Sequence, residues 1–165
     1  MNEFRDTSAD PSSGAESRTA SGDITVLNTL IATLLDSIEG YQKSAEDVEN
    51  PRFAELFNER ARERQQVVTK LQAAVAQAGG TPEDEASTLG SMHRVFVDLK
   101  SAVTGRDDKA IVNEVERGED YLKEKFETAM RKADLSAHAQ AAVSEAWTSV
   151  KTGHDQMSQL KHGIA

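Results

Sequence analysis

Four polar residues, Arg60, Arg64, Glu119 and His154, fall where helical spacing calls for apolar side chains. On a wheel of about 100° per residue, Arg60 and Arg64 lie between Phe57 and Leu71, Glu119 lies beside Leu122, and His154 is in line with Trp147, Val150 and Met157. Groups of this kind are costly to take out of water unless they are paired. Two chemistries meet that demand. Carboxylates and an imidazole converging between helices can hold a metal ion, whereas guanidinium, carboxylate and imidazole together can close an ion-pair network.

The metal reading uses Glu39, Glu116, Glu119 and His154 as ligands for iron or manganese, in the manner of a ferritin-like di-iron centre. That centre takes a Glu-x-x-His motif from each of two helices, and no Glu-x-x-His occurs in this chain. Two arginines, which keep their charge, stand at the inward positions where the second helix would supply ligands. The favoured expectation is therefore a buried polar network of Arg60, Arg64, Glu119 and His154, with no cofactor, in which Arg64 pairs with Glu119 and His154 donates to a carboxylate. Such a network specifies how helices align more than it stabilises them. Arg60, nearer the bundle end, can lay its stem on the core and keep its head wet. No catalytic residue can be named: the chain has no phosphate loop, no nucleophile beside a base and no cofactor fingerprint. His93 sits on the flank of its helix, and His138 and His162 lie near helix ends.

The elements that must position these groups are amphipathic helices. A first helix is expected from Asp23, acting as its cap, to about Glu49, with the stripe Leu27, Leu30, Ile31, Leu34, Ile38, Tyr41, Ala45 and Val48. A second runs from Pro51, a residue suited to a first turn, to Ala78 before Gly79-Gly80, burying Phe53, Leu56, Phe57, Val67, Val68, Leu71 and Val75. A shorter third helix spans about Pro82 to Thr104 through Leu89, Met92, Phe96, Leu99 and Val103. A fourth runs from Asp108 to Ala133 through Ile111, Val115, Gly118, Leu122 and Phe126. Ser136 opens a fifth, reaching about Lys161 through Val143, Ala146, Trp147, Val150 and Met157. Gly40 and Gly118, in helix interiors, mark close helix approach.

Tight hairpins at Asn50-Pro51 and Asp134-Leu135, joined by a helix long enough to cross the bundle end to end, are the connectivity of ferritin-like bundles; a plain up-down five-helix array is the alternative. In the first arrangement Arg60, Arg64, Glu119 and His154 all lie about two to four turns from the end that holds the first hairpin, so they can meet. Glu39 and Glu116 reach the same level, at the edges of their stripes.

The fold class is all-α, a ferritin-like four-helix bundle with an additional shorter helix in the crossover. Residues 1–22 read as a disordered tail, 23–161 as the bundle domain and 162–165 as a C-terminal tail. A formal charge of −9 with no basic tract excludes nucleic acid and acidic lipid as partners. No apolar run reaches the roughly 18 residues of a spanning helix, and the first residues lack a signal-peptide core, so a cytoplasmic location is expected. The absence of cysteine excludes disulfides and thiolate sites.

Leu27-Asn28-x-Leu30-Ile31, Asp36, Gly40-Tyr41, Arg64, Leu71, Gly79-Gly80, Gly90-x-x-x-Arg94, the run Glu116-Arg117-Gly118-Glu119-Asp120 and His154-Asp155 together resemble a bacterial four-helix-bundle family of unknown function. The resemblance spans about residues 23–161, its most specific part being the Glu-Arg-Gly-Glu-Asp run, and Phe96 stands where such sequences often have Trp. It implies the ferritin-like topology and a stress-related setting, and it supplies no catalytic residues. The reading is a non-catalytic protein that acts by binding or assembly, its protein partner open and a homodimer one candidate state; the alternative is a ferritin-like metal-binding protein that stores or oxidises iron.

Overall fold

The computed structural model describes residues 11–86, 107–132 and 134–164. Among them are four helices: α1 (Pro11–Asp47), α2 (Pro51–Gln77), α3 (Asp108–Lys132) and α4 (Ala137–Ile164). The shorter helix expected between about Pro82 and Thr104 falls mostly on residues 87–106 and lies outside the described residues, as do residues 1–10 of the expected tail. Residues 81–86 are not helical.

Local chemistry explains where the helices stop and start. Asn50, in extended conformation, accepts from the Arg52 amide at 3.0 Å and puts Pro51 in the first turn of α2. At the other end Gly79, with φ of 87°, lets its own amide reach the Ala76 carbonyl and the Gly80 amide reach Val75, each at 3.0 Å. That pair of bonds is a Schellman motif, and Ile24 of α1 packs so closely over Gly80 that a Cβ there would lie 2.8 Å from it. Ser136 caps α4, its Oγ accepting from the Ala139 amide at 3.2 Å.

Two expectations are corrected at the ends of the bundle. Helix α1 begins at Pro11 rather than near Asp23, and α4 runs to Ile164, past Lys161. Asp23 sits inside α1, buried, and it accepts from the Ser136 amide at 3.0 Å and hydroxyl at 2.6 Å. It thus braces the cap of α4 instead of capping its own helix.

Helices α1 and α2 form one hairpin and α3 and α4 the other; α1 also packs on α3 and α2 on α4. The direction of α3 follows from Asp108, whose two carboxylate oxygens accept from the Glu49 and Asn50 amides at 2.8 and 3.0 Å. Helix α3 therefore starts at the end that holds the α1–α2 turn, while α2 finishes at the opposite end, where His138 of α4 meets Gln77. The chain must pass from one end of the bundle to the other between α2 and α3. The result is a four-helix bundle of two antiparallel hairpins joined by one end-to-end connection.

Inside it, Leu27, Leu30, Ile31 and Leu34 of α1 meet Phe57, Val68, Leu71 and Val75 of α2, Leu122 and Phe126 of α3, and Val143, Val150 and Met157 of α4. Phe53, Leu56, Ala45 and Trp147, expected on the stripes, are only partly buried at the margin of this core. Gly40 and Gly118 are both buried.

Candidate functional site

The middle of the bundle is polar. Arg64 of α2 is completely buried, and Glu119 of α3 is 1% exposed. The Arg64 Nη2 donates to Glu119 Oε2 at 2.7 Å and Nη1 donates to Ser37 Oγ of α1 at 2.8 Å. The other Glu119 oxygen accepts a 2.5 Å bond from the buried Tyr41 hydroxyl, also on α1. Tyr41 in turn lies under the guanidinium, 5.8 Å from ring centre to Cζ, and against Phe57 at 5.9 Å. Three helices thus contribute to one desolvated cluster in which both carboxylate oxygens are engaged.

Its electrostatics follow from burial and pairing. Burial, reinforced by the adjacent Glu119 charge, pushes the Tyr41 hydroxyl well above its ordinary value near 10.0, with Arg64 opposing. For Arg64, burial works against the charge, but the adjacent Glu119 carboxylate offsets it and the guanidinium is held above its ordinary value. The cluster is therefore a charged pair with a neutral tyrosine attached.

The fourth helix contributes space rather than a polar group. Gly153 is buried against the arginines: a Cβ there would lie 2.6 Å from Arg64 Nη2 and 3.2 Å from Arg60 Cδ. The Arg64 guanidinium occupies the space that a Cβ at this position would take. Arg60 is 7% exposed, so its head is not wet. It donates to Glu63 at 2.6 Å and to Gln156 of α4, and Glu63 also accepts from Ser149 at 2.7 Å.

His154 goes elsewhere. Its Nε2 pairs with Asp120 Oδ1 at 2.6 Å and its Nδ1 with Asp155 Oδ1 at 3.3 Å. The structure therefore brings Arg64 and Glu119 into direct contact, turns Arg60 to Glu63 and Gln156, and sets His154 at the α3–α4 margin. The four residues of the metal reading do not all converge: Glu39 is exposed and Glu119 is committed to Arg64 and Tyr41, while Glu116, which accepts from Lys161 at 3.0 Å, stands near His154 at the margin. The residues at the bundle centre do not fit a di-iron group. His138 and His162 are exposed, the first against Gln77 and the second against the Ser158 carbonyl, and His93 lies outside the described residues.

Sequence reasoning missed Tyr41, Ser37, Gln156, Gly153 and Asp120. Tyr41 counted as an apolar stripe residue, although a buried tyrosine normally finds a partner for its hydroxyl. Ser37 carried no signal beyond lying next to Ile38.

Residues 23–132 match the model of a domain of unknown function, DUF2383. The chain belongs to that family. No curated protein matches it. The DUF2383 match covers Ser37, Tyr41, Arg64 and Glu119, the whole core cluster, and stops at the end of α3. Gly153 lies beyond it, as does the His154-Asp155 pair of the wider resemblance. Among the described residues of this DUF2383 chain no helix is long and apolar enough to cross a membrane.

Proposed function

We propose that this DUF2383 protein is a non-catalytic, cytoplasmic helical bundle related to the ferritin-like proteins, acting by binding or assembly in a stress-related setting, with an ion-pair core where such bundles place two irons. The observation that supports this reading is the engagement of Glu119. The only buried carboxylate of α3 at this level among the described residues holds Arg64 with one oxygen and Tyr41 with the other. To serve as a base or a metal ligand it would have to leave a fully desolvated arginine without its counter-charge, a loss of several kcal/mol that binding would have to offset. The two arginines fill the inner face of α2 that would otherwise carry ligands.

Elemental analysis of protein purified from an iron-supplemented culture tests the proposal. The expected result is no iron or manganese dependent on Glu119. Stoichiometric iron that disappears in Glu119→Ala, with helicity retained, overturns it and establishes the iron-handling alternative.

A further inference from the structure

A second cluster lies outside the core, at the α3–α4 margin. Glu116 and Asp120 stand one turn apart on α3, and His154 faces them from α4. One ligand-capable atom from each of the three lies within 4.8 Å of the other two. We infer that Glu116, Asp120 and His154 form a binding site for a single first-row divalent cation, with the redox-inert Zn²⁺ as the simple probe.

The chemistry of the donors carries the assignment. Two carboxylates and one imidazole supply two oxygens and one nitrogen, a set suited to zinc, iron or manganese, and their two negative charges balance a divalent ion. Bonds of about 2.0–2.2 Å to zinc require donor atoms to stand closer than 4.8 Å, which small side-chain rotations achieve. The site is also accessible: Asp120 is 57% exposed, whereas His154 and Glu116 are 14% and 13% exposed. An ion would be held at the surface with water completing its shell.

The imidazole is oriented for this task from both sides. Nε2 already points at the Asp120 carboxylate, and Nδ1 faces the Asp155 carboxylate at 3.3 Å. A carboxylate on the far ring nitrogen is the usual outer support of a metal-bound histidine. One group competes with the ion: Lys161, whose ammonium sits 3.0 Å from Glu116. Lys161 is 41% exposed and can swing into solvent when a cation takes its place. The ion would pin α4 to α3 without touching Arg64 or Glu119, so this inference stands or falls separately from the proposed core.

Titration calorimetry of the full chain with Zn²⁺ tests it. One ion per chain is expected, with affinity at least tenfold weaker in His154→Ala and in Asp120→Asn and unchanged in the exposed His138→Ala. Removing the competing ammonium in Lys161→Ala should tighten binding several-fold, an effect that a merely structural role for Glu116 does not produce. Circular dichroism of each variant verifies the helices. Absence of binding, equal affinity in His154→Ala or Asp120→Asn, or unchanged affinity in Lys161→Ala overturns the assignment.

Discussion

At the scale of single residues, Arg64 is the most consequential side chain. It is the largest fully buried group of the described residues, and its charge is met by one carboxylate. Removing one partner of such a pair leaves the other uncompensated, so Arg64→Ala should lower the unfolding free energy by about 3–5 kcal/mol in urea denaturation. A loss below about 1 kcal/mol would contradict the burial of the pair. Tyr41 offers a test with a pH signature. Its folded hydroxyl keeps the proton at pH values where the unfolded hydroxyl, near its ordinary value of 10.0, has lost it. The folded state then binds the extra proton, so this contribution is complete below about pH 10 and is lost as the pH rises further. Tyr41→Phe should cost about 1–3 kcal/mol at neutral pH, because it strands one Glu119 oxygen. It should also flatten the decline in the urea midpoint above about pH 10. Much of this cluster is legible in the sequence: helical spacing turns Arg64 and Glu119 inward, and the end-to-end connectivity puts them at the same depth. Tyr41 and Ser37 are not, because spacing says which face a residue occupies and nothing about which of its atoms finds a partner.

At the scale of elements, helix ends and helix contacts separate what a linear pattern can show from what it cannot. Pro51, the paired glycines after α2 and the cap at Ser136 act through neighbours in the chain, and their roles could be read from a few adjacent residues. Asp23 could not. It has the chemistry of a cap, and local reasoning placed a helix start there, but its carboxylate is used 113 positions away, at Ser136. His154 was misplaced for a similar reason. It shares the angular position of Val150 and Met157, yet an imidazole at the margin of that stripe reaches sideways to Asp120. The α2–α4 contact yields a prediction at this scale. Gly153→Ala gains up to about 1 kcal/mol of helix propensity, but the new methyl collides with an Arg64 end fixed by two hydrogen bonds. A net loss of about 1–2 kcal/mol is expected from overpacking. In an Arg64→Ala background the same substitution should be neutral or stabilising, a reversal that a double-mutant cycle of thermal melts would reveal.

At the scale of the whole molecule, the bundle was expected from amphipathic stripes and turn signals, and the four helices follow it closely. The end-to-end connection was inferred from helix lengths, and the Asp108 clamp on the first hairpin's turn requires it. That clamp should be worth about 1–3 kcal/mol, so Asp108→Ala should lower the melting midpoint and speed amide exchange at Glu49 and Asn50 first. Assembly is tested at this level as well. Sedimentation at high concentration separates the two states: the mass of two chains supports a homodimer, and a monomer there removes it.

The placement of the Arg64 partners also bears on how the molecule comes together. Ser37 belongs to the same hairpin as Arg64 and is joined to it through a three-residue turn, whereas Glu119 arrives with the second hairpin across the long connection. The first hairpin, formed alone, gives the guanidinium a hydroxyl but not the carboxylate that it binds directly. If the second hairpin docked one turn out of step, by about 5.4 Å, its apolar residues would still find apolar neighbours, yet Arg64 would be sealed in without Glu119. A single charge thus proofreads the union of two halves that grease alone would let slide.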